Sequence, residues 1–143
     1  MKVSSRGRYG LKAMTGLAMR FGPEYIPLKD IAKRQNIPLK YLEQIFSTLN
    51  KGGLLNSTKG AQGGYQLSDR PANIKVITIL RLLEGEITET NSTNDYTDVE
   101  YSISQVVYQK ADDVLLSFLD KISLEDIVIH YKKVNVENIS FSI

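Results

Sequence analysis

Pro27 to Leu67 runs PLKDIAKRQNIPLKYLEQIFSTLNKGGLLNSTKGAQGGYQL, and this stretch decides the fold. Leu28, Ile31 and Ala32 recur at i, i+3, i+4, the pattern of a short amphipathic helix. Asn36 suits its end, because Asn tolerates the left-handed conformation that closes many helices. Pro38 sits where a second helix begins, in the first turn, where its missing N–H costs nothing. Leu42, Ile45, Phe46 and Leu49 then mark one apolar face at i, i+3, i+4, i+7. Lys40, Glu43, Gln44, Ser47 and Lys51 lie on the opposite face. Two short helices with a tight turn, the second polar on its solvent side, match the arrangement that seats a recognition helix in a major groove.

Gly52-Gly53 ends that second helix, and two strand-like runs follow, Leu54–Ser57 and Tyr65–Ser68. Between them lies Thr58-Lys59-Gly60-Ala61-Gln62-Gly63-Gly64, whose glycines permit positive φ. After a helix-turn-helix this hairpin reads as a wing with Lys59 at its tip. An isolated glycine loop would by itself be only a hairpin. Nucleotide binding is poorly supported, since neither G-x-G-x-x-G nor Gly-Lys-Ser/Thr is present and the loop joins two strands.

Upstream, Ser4 or Ser5 can cap a helix reaching Arg20, with Met14, Leu17, Ala18 and Phe21 on its buried stripe and Gly22-Pro23 as its stop. Downstream of the wing, Val76, Ile79, Leu80 and Leu83 predict a helix that ends at Gly85, backs the wing and completes the core. Residues 86–100 are polar and aperiodic, a loop or linker. From Tyr101 to Ile122, apolar residues including Ile103, Val107, Val114, Phe118 and Ile122 form a wide helical stripe without a strict heptad. A helix this long in so small a chain leaves an edge that a second copy can cover across a two-fold axis; the alternative is a helix buried within one subunit. Ser123 to Asp126 opens a short helix through Lys132-Lys133, whose cations suit its C-terminal end. The tail Asn138–Ile143 alternates apolar and polar and is expected to add a strand. His130 shares a helix face with Asp126, but no motif places a nucleophile beside them, so a packed or surface histidine is the reading.

The fold class is therefore mainly α with a small β-hairpin. The expected organisation is a DNA-binding unit over 1–85, a linker over 86–100, and a dimerisation helix with C-terminal tail over 101–143. The chain has 143 residues, 42% apolar and 24% charged, an ordinary globular composition. No apolar run is long enough to span a membrane, and the N-terminus lacks a signal-peptide core, so a bacterial cytoplasmic location, associated with the nucleoid, is expected. There is no cysteine, which removes disulfides, thiol catalysis and thiolate ligation. The net charge of +2 is segregated. Residues 1–85 carry 14 Lys/Arg against 5 Asp/Glu, whereas 86–143 carry 4 against 11. A basic half points to a polyanion, although charge alone does not separate DNA from RNA or an anionic membrane.

Several pieces together, Ser4-x-x-Gly7-Arg8-Tyr9, Ile31-Ala32, Tyr41-Leu42-Glu43-Gln44, Gly53-Leu54, Lys59-Gly60-x-x-Gly63-Gly64-Tyr65 and Leu83-Glu84-Gly85, resemble the Rrf-two family of bacterial winged-helix regulators. The resemblance runs along nearly the whole chain in the same order. It implies a homodimeric transcription factor, a repressor in the simplest case, that binds double-stranded DNA at a two-fold symmetric operator. Cluster-binding members carry three cysteines in the region of Thr88–Asn94. This chain has none there, so no iron–sulfur cofactor is expected. The lack of cysteine places the chain nearer the cysteine-metabolism branch. That likeness implies O-acetylserine thiol-lyase as a partner, docking Phe141 and Ile143 through a terminal carboxylate; a tail that merely packs on the dimer is the alternative.

Within that reading, Arg6, Arg8, Lys12, Lys29 and Lys40 contact phosphates and set register. Tyr9 either packs or donates to a phosphate. Tyr41 opens the recognition-helix motif, and Glu43 and Gln44 reach base edges, a carboxylate accepting from cytosine N4–H and an amide pairing with adenine. Ser47 is a weaker reader. Lys59 and Gly60 border the minor groove, with Lys59 lacking the planar fork of an arginine. The rival to operator binding is a winged module holding RNA or a protein. An enzyme is the weakest class, because no metal set, activated nucleophile or cofactor loop emerges.

Overall fold

The computed structural model describes residues 1–88 and 93–142, with only the helical path given for 139–142. The chain begins with α1 (Ser5–Met19), α2 (Leu28–Gln35) and α3 (Leu39–Lys51), then the hairpin strands β1 (Leu55–Thr58) and β2 (Gly64–Leu67). A 3-10 turn at Pro71–Asn73 leads into α4 (Val76–Glu84). After the loop come α5 (Val99–Ile103), a π-helical turn (Ser104–Tyr108), α6 (Gln109–Asp120) and α7 (Leu124–Ser142).

Asn36 takes the left-handed conformation (φ 55°, ψ 51°), and the chain turns sharply enough for Ile37 N–H to reach Ala32 C=O at 2.9 Å. Pro38 stands at the N-cap of α3, one position before the first turn. Leu42, Ile45, Phe46 and Leu49 are fully buried, so the apolar stripe read from spacing is the one the core takes. With Met14 and Leu17 of α1, Ile31 of α2 and Leu55 and Leu67 of the wing they form the main core. Leu124 and Val128 of α7 belong to it too.

The wing is antiparallel, Leu55 opposite Leu67 and Thr58 opposite Gly64. Its inner strand is paired on both sides, because Ile26 and Tyr65 exchange N–H···O=C bonds of 2.8 and 2.9 Å. That pairing explains Gly64: a Cβ there would collide with the Ile26 carbonyl and the Pro27 nitrogen. Tyr65 stacks edge-on against Phe46 with ring centroids 5.1 Å apart, joining wing to recognition helix.

Four expectations are corrected. Phe21 is 49% exposed, since α1 ends at Met19 and the chain has left the helical path before Phe21 can reach the core. The helix α4 packs on α1, α3 and α6 instead of backing the wing. The helix α7 does not stop at Lys133 but continues to Ser142, so the tail to that point is helical and adds no strand. Six residues of alternation are too few to outweigh a helix already nucleated upstream, where extension adds one bond per residue. Ile122 turns inward, packing with Val76, Ile77, Leu80 and Leu119, and its carbonyl accepts from Val76 N–H at 2.9 Å. Ile143 lies outside the described residues, as does the Phe141 side chain.

The path from 99 to 120 is helical throughout, and its π turn rotates the face presented after Tyr108 relative to that before Ser104. Leu115, Leu116 and Leu119 face α4. Val106, Val107, Val114 and Phe118 remain 65%, 51%, 70% and 61% exposed, apolar side chains left on the outside of this segment. His130 is exposed, and the Asp126 carboxylate beside it is engaged with Ser123.

Candidate nucleic-acid interface

The recognition surface is built on α3. Burying Leu42, Ile45, Phe46 and Leu49 turns Lys40, Glu43, Gln44 and Ser47 to solvent, and all four are exposed. Tyr41 is half-buried, its ring edge-on to Tyr9 of α1 at 5.4 Å and 84°. Both tyrosines pack against the core, so Tyr9 acts first as a spacer between α1 and α3.

The N-terminus of α1 is pinned beside α3. Ser4 is its N-cap, with Oγ accepting from Gly7 N–H at 3.4 Å. Glu84, at the end of α4, accepts from both Ser4 N–H (2.9 Å) and Ser4 Oγ–H (2.6 Å). Gly7 leaves the room this needs, since a Cβ there would run into the Glu84 carboxylate and Val3. A carboxylate at a helix N-terminus also meets its positive end favourably. The motif pieces around Ser4, Gly7 and Glu84 are thus one contact between α1 and α4.

From this pinned turn Arg6 reaches α3, donating from Nη2 to Thr48 Oγ1 at 2.7 Å, while the Thr48 hydroxyl donates to Gln44 C=O at 3.2 Å. Arg6 is partly buried and held one turn from Gln44, with its other guanidinium N–H groups outside this bond. Arg8 is exposed, and its Nε donates to Val3 C=O at 3.0 Å. Lys12 and Lys29 are exposed on α1 and at the start of α2. Lys59 and Gly60 are exposed at the wing tip, where Gly60 takes φ 103° and accepts from Gly63 N–H at 3.0 Å. Asn50 Nδ2 donates to Ser57 Oγ at 3.3 Å, tying the end of α3 to β1. Behind the wing, the Asp69 carboxyl is held below its ordinary range by hydrogen bonds from Asn73 and from Arg70 N–H.

The recognition helix, α1, the start of α2 and the wing tip thus carry the sequence-predicted contact residues, with Arg6 and Arg8 held by hydrogen bonds and Tyr41 half-buried. Thr48, Glu84 and Asn50 were missed as parts of this surface. Arg6 to Thr48 and Ser4 to Glu84 are separations of 42 and 80 residues, which no local pattern reveals.

This geometry defines a winged helix-turn-helix. A family model described as "Rrf2: Iron-dependent Transcriptional regulator" matches residues 3–130, and the chain belongs to that family. It is 38% identical over 127 residues to the HTH-type transcriptional regulator CymR of Bacillus subtilis (strain 168), covering 89% of each protein. It is 34% identical over 131 residues to the HTH-type transcriptional regulator IscR of Aliivibrio salmonicida (strain LFI1238), covering 90% of this chain and 78% of that one. The structure of CymR (YrzC), the global cysteine regulator of B. subtilis, superposes with a TM-score of 0.79 at 35% identity, covering 91% of this chain and 98% of that one. The chain is accordingly a DNA-binding transcriptional regulator, not an enzyme.

The family model's description mentions iron, and an iron–sulfur cluster does not fit the donors of this chain. The chain has no cysteine and a single histidine, and no group of three metal-ligating side chains gathers among the described residues. Amides and hydroxyls do not replace the thiolates of an iron–sulfur cluster. Among the described residues no helix is long and apolar enough to cross a membrane.

Proposed function

We propose that this chain is a homodimeric repressor in a bacterial cytoplasm, bound at a two-fold symmetric operator with a recognition helix and a wing from each copy. The observation that carries the reading is the joint exposure of Lys40, Glu43, Gln44 and Ser47 on a helix whose other face is fully buried, beside Lys59 on the wing. Such a helix is rigid, polar on one side only, and flanked by cations. Arg8, Lys12, Lys29 and Lys40 hold phosphates and give binding its salt dependence. Glu43 and Gln44 read base edges, and Lys59 with Gly60 borders the minor groove. Arg6 also neutralises phosphate, from a position fixed by Thr48.

Pairing of two copies is supported by the exposed apolar side chains of Ile103, Val107, Val114 and Phe118. Several large apolar side chains left exposed on one helical segment suit an association site, and a two-fold axis lets such a face cover its own copy. In this reading residues 1–85 bind DNA, 86–100 connect, and 101–143 dimerise. The likeness to a global cysteine regulator supports cysteine or sulfur metabolism as the regulated pathway. O-acetylserine thiol-lyase is then the candidate protein partner through Phe141 and Ile143, which co-purification with that enzyme tests.

Selection of duplexes from randomised DNA at controlled salt, with sedimentation of the complex, tests the central reading. Enrichment of an inverted repeat bound by two chains supports it. Equal affinity for random duplex, preference for structured RNA, or one chain per site refutes it.

A further inference from the structure

A groove of about 400 Å³ lies on the flank of the molecule, between the end of α1, the turn after the wing and the first half of α7. None of the proposed DNA contacts lines it. Its apolar lining includes Phe21, Val128 and Ile129, and two of these, Phe21 (49%) and Ile129 (56%), are large apolar side chains left exposed away from the outer apolar residues of α5 and α6. Its rim carries Arg70 on one wall and Lys132 and Glu125 on α7. Glu125 and Lys132 are seven residues apart, about 10 Å along the helix. Among the described residues none of these three side-chain charges is engaged in a hydrogen bond or ion pair, and Arg70 meets only the nearby charge of Asp69.

The geometry points to a binding site for a small amphipathic monocarboxylate, its head group on Arg70 and Lys132 and its apolar tail over Phe21, Val128 and Ile129. The lining itself holds two cations and one carboxylate; Asp69 bears on Arg70 from outside the lining and is already occupied by Asn73 and Arg70 N–H, which leaves Lys132 to favour an anionic head. The planar guanidinium of Arg70 matches a carboxylate by paired N–H···O bonds. Glu125, at the other end of the helical wall, opposes a second negative charge, so dicarboxylates are disfavoured. The volume lies in the range of small-molecule sites, and the tail would cover apolar surface that otherwise faces water. The site is independent of the DNA reading, because every atom invoked lies outside the recognition helix and wing loop.

Octanoate is the probe, titrated into the full chain without DNA and followed by backbone amide shifts, with octanamide and octyl phosphate as comparators. The expected result is saturable binding of octanoate with shifts centred on residues 18–21, 70–71 and 125–132, and weaker binding of octanamide. Arg70→Gln should weaken octanoate by about tenfold, the size of one lost charge-assisted pair. Lys132→Gln should weaken it less, and Lys133→Gln, outside the groove, should leave it unchanged. Octyl phosphate binding as well as octanoate would assign the site to anionic amphiphiles generally and overturn the carboxylate. Equal binding of octanamide, wild-type affinity in both Arg70→Gln and Lys132→Gln, or no saturable shift overturns the proposal as a whole.

Discussion

Replacing Thr48 with valine removes one hydroxyl and no charge, which makes it a clean probe of how Arg6 is held. In the structure the hydroxyl accepts from Arg6 Nη2 at 2.7 Å and donates to Gln44 C=O at 3.2 Å. Both residues are partly exposed, so water replaces much of the lost bond, and the stability cost should be about 0.5–1.5 kcal/mol. The effect on DNA binding is separate. Once released, Arg6 must be immobilised during binding, at about 0.5–1.5 kcal/mol for a long side chain, equivalent to roughly two- to tenfold in Kd. Because no cation is lost, the slope of log K against log salt should stay as in the parent. Arg6→Gln should instead reduce the magnitude of that slope by about 1 per contacted site. Fluorescence anisotropy with one selected duplex at four or five salt concentrations separates the two variants. Parental affinity in Thr48→Val, or a slope change equal to that of Arg6→Gln, would refute the idea that Thr48 presets the arginine.

Glu43→Ala should relax base preference at one position of each half-site by roughly 1–3 kcal/mol, whereas Lys59→Ala should weaken all sequences alike; repeating the duplex selection with each variant distinguishes them. Phe118→Glu, at a position 61% exposed in the single chain, should leave the thermal midpoint of the monomer nearly intact while abolishing dimers in sedimentation and weakening operator binding; a stable Phe118→Glu dimer counts against these outer apolar residues as the interface. Gly7→Ala drives a methyl into the Glu84 carboxylate and should cost about 1–3 kcal/mol, as overpacking does, read by denaturant unfolding. The Asp126 carboxyl is held below its ordinary value by hydrogen bonds from Ser123 N–H and then Ser123 Oγ–H. A depressed folded pKa contributes stability that is present above the unfolded carboxylate value near 3.8 and is lost as pH falls through the lower folded value. Acid unfolding of Asp126→Asn should therefore show a shallower loss of stability below that pH, and an unchanged acid limb would remove Asp126 from the account.

Much of the fold was legible because helices are specified over a few residues. Leu42, Ile45, Phe46 and Leu49 announce a buried face by spacing alone, and Asn36 and Pro38 punctuate the turn between α2 and α3. The same locality explains the failures. Phe21 continues the α1 spacing, but the helix has ended at Met19, so periodicity overreaches by two residues. Asn138–Ile143 alternates like a strand, yet α7 carries its helix through to Ser142. Ile122 fits the outer apolar positions by count, and the chain reversal into α7 turns it inward instead.

The order of residues by itself determined the helix-turn-helix, the hairpin that follows it, the segregation of positive charge towards the first 85 residues and the exclusion of thiol chemistry. Each of these depends on composition or on neighbours within one or two turns. Only tertiary packing decided that Arg6 rests on Thr48, that Glu84 holds the start of α1, that Gly64 must be bare for Ile26 to pair with the wing, and that α7 closes the core while opening a charged groove beside α1. Those contacts join residues that are distant in the chain, and their energies appear only once the apolar faces have brought them within bonding distance.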